Sequence, residues 1–291
     1  MRHGRTPRGG QRSRPSTARG LVAACHVQPT IAVTGFTTML AVATCGGRKA
    51  VAVGAAALSG QLVIGWSNDF WDRSIDARAG RLDKPIVSGS VSAELVRNSA
   101  IVAATACVPL SLLCGRRAAS AHLAVVGAGL AYNAKLKSTP LSVAPYLVAF
   151  GALPGFVALS ADRRSLPRFN TMIAGGLLGA GAHFINVLPD TEADEITGVR
   201  GLPQRLGPTR SLYAGATLLS AAAGLVAAFG RHPSTSSQRT LLATSGAAVA
   251  AVIGTARTGR RHLARSMSLL AAASTVTLYV IQAPAGIAPK R

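Results

Sequence analysis

The chain has 291 residues, 49% of them hydrophobic and only 14% charged, with 31 glycines and a formal net charge of +21. Such a profile, poor in charge and rich in Ala and Gly, excludes an ordinary soluble globular domain. The bases lie in every stretch between apolar runs rather than on one face, which excludes a nucleic-acid surface and makes anionic lipid headgroups their natural partner.

Residues 1–19, MRHGRTPRGGQRSRPSTAR, hold six Arg and no acid. They are expected to form a disordered, basic, cytosolic N-terminus, with an organellar transit peptide as the alternative. Cutting the rest at every charged residue leaves nine long charge-free runs: 20–47, 50–68, 98–115, 118–134, 138–161, 169–189, 211–230, 240–256 and 266–289. Each is near or above the ~17–25 residues a helix needs to cross a bilayer. Residues 20–291 are therefore expected to be an all-α integral membrane protein of about nine transmembrane helices, with small residues at the helix contacts. Cys25, Cys45, Cys107 and Cys114 lie in or beside these runs without metal-binding spacing, and are expected to be small core residues.

With the N-terminus inside, 20 of the 31 Lys and Arg fall in inside loops and 11 outside. Nine of the ten acids fall inside too, Asp162 being the exception. They form two groups, one after the second run and one after the sixth.

The first group is NDFWDRSIDARAGRLDK, residues 68–84. If the second run stays helical for two turns past Asn68, then Asn68, Asp72, Asp76 and Asp69 lie at about 0°, 40°, 80° and 100° on the helix. Carboxylates crowded into one sector repel unless a cation separates them, and a hard divalent ion such as Mg²⁺ takes oxygen ligands and recruits phosphates. Arg78, Arg81 and Lys84 could hold the remaining phosphate oxygens. Pro85 stops the helix and Gly89 permits a turn, so a structured loop should follow. A salt-bridged loop beside the membrane is the plainer alternative.

Trp66 and Trp71 flank this group as expected interfacial anchors. His122 and His183, inside apolar runs, are expected to make polar contacts between helices. The second group follows the sixth run in HFINVLPDTEADEITGVRGLPQRLG, where Asn186, Asp190 and Asp194 repeat the spacing of four. Two such helix exits on one side of the membrane suit two metal ions clamping one diphosphate.

These motifs resemble those of the UbiA superfamily of intramembrane prenyltransferases. NDFWDRSIDARAGRLDKPIVSGSVS is similar to its first signature, NDxxDxxxD with a following Arg and [RK]P-[ILV]-x-[ST]-G, and DTEADEITGVRGLPQRLG is similar to its second. AYNAKLKSTPLS and the LPG at 153–155 resemble its fourth and fifth helices, and the resemblance covers roughly residues 20–285. It implies nine transmembrane helices around a central cavity open to lipid, with Asp-rich cytosolic cap loops. By the same resemblance Asn68, Asp69, Asp72, Asp76, Asp190 and Asp194 hold Mg²⁺, Asp69 in a supporting part. Arg81, Lys84, Lys135 and Arg200 hold the diphosphate, and Tyr132 faces the reacting carbon. Gly201 stands where many members have Thr.

The implied function is Mg²⁺-dependent transfer of a prenyl group from an isoprenyl diphosphate to a small lipophilic or aromatic acceptor, in a bacterial plasma membrane with the active site cytosolic. The alternatives are phosphoribosyl transfer from phosphoribosyl diphosphate to a polyprenyl phosphate and, in another class, a non-catalytic membrane transporter. In a transporter, acids of the path should lie at membrane depth, and here they lie at helix exits.

Overall fold

A computed structural model of the protein describes residues 16–161, 166–188 and 196–229, with Asp194 and isolated positions between 239 and 254. The expected ninth helix and Asp190 lie outside the described residues, and of the eighth run only isolated positions are described.

Among the described residues the chain forms nine α-helices: α1 (Thr17–Ala24), α2 (Val27–Thr44), α3 (Gly47–Arg78), α4 (Ala93–Leu113), α5 (Arg116–Ala134), α6 (Ala144–Ser160), α7 (Phe169–Asn186), α8 (Leu202–Leu206) and α9 (Pro208–Phe229). Each of the charge-free runs two to seven becomes one helix. The first run divides into α1 and α2 at His26, and α1 already begins at Thr17, where the Ser16 hydroxyl accepts from the Arg19 N–H. Residues 17–19, expected in the disordered terminus, are thus helical. Four helices, α2, α3, α4 and α9, are long and apolar enough to cross a membrane, and α6 is apolar but shorter.

The long helices pack in chain order, α2 on α3, α3 on α4 and α5, α5 on α6, α6 on α7 and α7 on α9, with α2 also touching α6. Short connections make successive helices antiparallel, so the C-terminal ends of α3, α5 and α7 gather on one side. Glycines set the close approaches. A Cβ on Gly181 of α7 would lie 3.1 Å from the Gly215 carbonyl oxygen of α9, and one on Gly215 would lie 3.2 Å from the Gly181 carbonyl oxygen. Such contact supplies packing energy where lipid removes the hydrophobic drive between helices.

The bundle has an apolar core but also turns large apolar side chains outward and buries polar ones. Ile31, Val51, Val102 and Leu113 face outward, while Ser59, Ser111, His122, Asn133, Ser142 and His183 are buried. The two histidines do make contacts between helices. His122 Nδ1 is 2.7 Å from Ser111 Oγ and its ring stacks on Phe156 at 4.7 Å, joining α4, α5 and α6. Cys25, Cys107 and Cys114 are buried and Cys45 half-buried, none of them in a disulfide.

At about 1.5 Å per residue the 32 residues of α3 span about 48 Å, well beyond the ~30 Å hydrocarbon layer. The helix therefore continues unbroken past Asn68 to Arg78, as the common sector of the acids presupposed. Its last turns carry the first acidic group clear of the apolar layer.

Candidate active site

Asn68, Asp69, Asp72 and Asp76 all sit on the exit of α3, but the sector they share is divided between two sets of neighbours. Asp72 looks toward α5. One of its oxygens accepts from Asn68 Nδ2 at 3.0 Å and the other receives the Lys137 ammonium. Buried Asn133 at the end of α5 completes this side. Its Oδ1 accepts from Asn68 Nδ2 at 3.2 Å, and its own Nδ2 donates to the Ile64 carbonyl at 2.8 Å and to Ser67 Oγ at 3.3 Å. The amide of Asn68 is thus turned so that its nitrogen is spent on protein, leaving its carbonyl oxygen as a candidate ligand. Trp71, Asp72, Ile75, Asn133, Ala134 and Lys137 line an open cleft of about 360 Å³.

Asp69 looks the other way, under the elbow between α1 and α2, and is only 2% exposed. Its Oδ1 accepts from Lys84 Nζ at 2.8 Å and lies 3.2 Å from His26 Nε2. Asp76, one turn beyond Asp72, is 3.9 Å from Lys84 Nζ and 4.0 Å from Arg81 Nη1. Arg81 also donates to Asp83 at 3.0 Å, and this bond holds the exposed Asp83 carboxyl below the usual carboxylate range.

The loop after α3 is a run of tight turns. Gly80 and Gly89 adopt φ of 65° and 71°, and the Pro85 carbonyl accepts from Ser90 N–H at 3.1 Å. Gly80, at positive φ just past the Arg78 end of α3, turns the chain, and the turns that follow bring Lys84 back over Asp69 and Asp76.

Of the second acidic group, Asp194 is the member among the described residues. Asp194 accepts from Gln204 Nε2 at 2.7 Å. Buried Ser142 ties this loop down, since its Oγ accepts from the Leu202 N–H at 2.9 Å and lies 3.3 Å from His183 Nε2. Tyr132, Tyr146 and His183 form an aromatic cluster beside it. Tyr132 meets Tyr146 edge-on at 5.1 Å and His183 at 5.5 Å, while Tyr146 stacks on His183 at 4.3 Å.

The structure therefore brings Asn68 and Asp72 together with Lys137, and Asp76 and Asp69 together with Lys84, with Arg81 beside Asp76; Tyr132 sits in the aromatic cluster and Asp194 on Gln204. Lys135 and Arg200 are exposed at the ends of their elements, and Lys137 rather than Lys135 contacts Asp72. Sequence reasoning missed Lys137, Asn133, His26 and Ser142 as parts of the site. The motif AYNAKLKSTPLS contained three of the four, but spacing alone does not choose between two lysines two residues apart. Trp66, expected as an interfacial anchor, instead donates to the Leu21 carbonyl at 2.9 Å and pins α1 to α3.

The donors fit a hard cation. Among the described residues no three His, Cys, Asp or Glu side chains converge as ligands to one ion. Mg²⁺ does not require that, because one or two carboxylates with water and substrate phosphates complete its octahedron. The buried Asp69 Oδ2 has no hydrogen-bond partner, so the protein alone leaves this carboxylate incompletely satisfied.

Comparison with known proteins gives the family and the fold. The UbiA prenyltransferase family profile matches residues 15–272. The fold is similar to solved UbiA homologues. One from Archaeoglobus fulgidus bound to GPP and Mg²⁺ has a TM-score of 0.66 at 18% identity, over 91% of this chain and 99% of that one. One from Aeropyrum pernix K1 without ligand has a TM-score of 0.65 at 21% identity, over 86% and 98%. A digeranylgeranylglyceryl phosphate synthase structure has a TM-score of 0.65 at 16% identity, over 92% and 98%. No curated protein sequence matches the chain. With a family match that spans nearly the whole sequence, this chain belongs to the UbiA prenyltransferase family, whose members are prenyltransferases.

Proposed function

We propose that the protein transfers a prenyl group from an isoprenyl diphosphate to a small lipophilic or aromatic acceptor within the membrane, with Mg²⁺ held at the exits of α3 and α7. The observation that carries this reading is the line Asn68, Asp72, Asp76 at the end of α3, flanked by Lys84, Lys137 and Arg81. Asn68, Asp72, Asp76, Asp190 and Asp194 would hold the metal, with Asp69 in support. When bound, Mg²⁺ supplies neutralisation of the negative charge that grows on the departing diphosphate.

The remaining work falls to the chain. Arg81, Lys84 and Lys137, with Lys135 and Arg200 at the rim, bind the phosphate oxygens and orient the allylic C–O bond. Their fixed positive charge is worth most as that bond breaks, since the charge on the leaving oxygen is then largest. Tyr132, backed by Tyr146 and His183, presents an electron-rich wall to the allylic carbon as positive charge develops there. The apolar bundle solvates the isoprenoid tail and keeps water from quenching the cation before the acceptor attacks. The acceptor then forms the new bond to carbon and loses a proton. The excess of Lys and Arg in the inside loops supports a cytosolic site.

The test uses the full chain in nanodiscs with Mg²⁺, labelled isoprenyl diphosphates of increasing length and a lipid extract, identifying product by mass. Product should form with Mg²⁺, vanish with EDTA, and vanish in Asp72→Asn and Asp190→Asn proteins that still insert. Full transfer by either variant, or heat protection by phosphoribosyl diphosphate but by no isoprenyl diphosphate, would refute the reading.

A further inference from the structure

His26 is the only non-glycine residue at positive φ among the described residues, with φ 56° and ψ 67°. An L-residue is disfavoured there, and such strain persists only where surrounding contacts fix it. His26 stands at the N-cap of α2, yet its side chain makes no capping bond. Its Nε2 instead lies 3.2 Å from Asp69 Oδ1 and 3.4 Å from Lys84 Nζ.

The elbow that carries it is packed against α3 and against the loop after α3. The Cys25 carbonyl oxygen presses on α3 so closely that a Cβ on Gly65 would lie 2.2 Å from it. The same carbonyl accepts from Thr30 Oγ1 at 2.8 Å, and Trp66 holds Leu21. On the other flank, α1 touches the loop after α3, where a Cβ on Gly20 would lie 2.9 Å from the Ser90 carbonyl oxygen. The segment joins the end of α3 to the loop that bears Lys84, and His26 points at the one carboxylate both share.

We infer that His26 is a positioning residue of the diphosphate site: it holds Asp69 in place so that Lys84 can leave it for the substrate. This rests on the function proposed above. Without ligand, Lys84 is the closest donor to Asp69, at 2.8 Å, and also lies 3.9 Å from Asp76. A diphosphate draws that ammonium toward its own oxygens, and a carboxylate as buried as Asp69 is costly to leave without a donor. The imidazole N–H, already beside the same oxygen and fixed by the elbow, is the donor that stays.

The test compares His26→Gly and His26→Gln, each alone and with Lys84→Gln, in the full chain in nanodiscs. Glycine suits φ 56°, so it removes the imidazole without straining the elbow, and glutamine restores an N–H donor. The measurements are deuterium exchange of residues 82–91 without ligand and the affinity for geranyl diphosphate with Mg²⁺. His26→Gly should speed exchange and weaken binding by about tenfold, the low end for a residue that acts through a ligand's neighbour. His26→Gln should recover most of both, and in the Lys84→Gln background His26→Gly should add less than about twofold. A glycine variant that matches the unsubstituted protein, a glutamine variant no better than glycine, or penalties that simply add would each overturn the inference. If the unsubstituted protein fails to bind geranyl diphosphate, the proposed function falls, and the exchange pattern without ligand still decides the role of His26.

Discussion

Replacing Gly201 by Ala should loosen the second acidic loop, and the size of the effect can be worked out from its contacts. Gly201 has φ −68° and ψ 177°, an extended backbone that any residue adopts, so the cost is steric rather than conformational. An added Cβ would lie 2.5 Å from the Lys137 carbonyl oxygen, 2.8 Å from Gln204 Oε1 and 2.9 Å from Ser142 Oγ. Ordinary contact begins at 3.4 Å, so the loop must retreat from the 136–138 turn by 3.4 − 2.5 = 0.9 Å. The same shift would stretch the 2.9 Å bond from the Leu202 N–H to Ser142 to 3.8 Å, which breaks it. Overpacking of this kind costs about 1–3 kcal/mol and the lost bond about 1. The stiffer unfolded chain returns about 0.4–1. The net is about 1–3.6 kcal/mol, or several degrees in melting temperature at roughly 2–4 °C per kcal/mol. Thermal unfolding of the detergent-solubilised protein measures this, and Gly201→Thr should melt lower still. Either variant melting at or above the unsubstituted protein would refute the close packing of Gly201 on the turn that presents Lys137.

Further substitutions separate the parts of the site. Lys137→Ala should weaken Mg²⁺-dependent binding of geranyl diphosphate about tenfold or more, while Lys135→Ala, on an exposed position, should change it less than about twofold, as read by calorimetric titration. Gly65→Ala would force the elbow at Cys25 away from α3 by 3.4 − 2.2 = 1.2 Å, so folded yield after detergent extraction should fall sharply. His122→Ala removes a buried ring stacked on Phe156 and its bond to Ser111, which keeps only the Cys107 carbonyl, about 3 kcal/mol of stability, with diphosphate affinity unchanged because the pair lies away from the α3 exit. Asn133→Ala should weaken Mg²⁺ binding, measured by titration with pyrophosphate present, because the Asn68 amide loses the acceptor that orients it.

Much of the architecture was already legible in the sequence. Charge is so costly in lipid that the spacing of Asp, Glu, Lys and Arg marks the spans, and each of runs two to seven became a single helix. The common sector of Asn68, Asp72 and Asp76 presupposed a helix running two turns past Asn68, and α3 runs to Arg78. The acidic motifs indicated the family for the same local reason, since ligands three and four residues apart on one helix are a property of the chain itself.

What the sequence could not decide was which neighbour each of those residues meets. Helical angles place Asp69 and Asp72 in one sector, but packing sends Asp69 under the His26 elbow and Asp72 to α5. The choice of Lys137 over Lys135 depends on how the chain turns after α5, and the elbow at His26 breaks a run that carries no charge to mark it. The need for glycine at 201 appears only when the Lys137 carbonyl is brought against it from another part of the chain. Local periodicity is written in consecutive residues, whereas these contacts join positions 43 to 65 residues apart. They exist only once the helices have packed and fixed their distances.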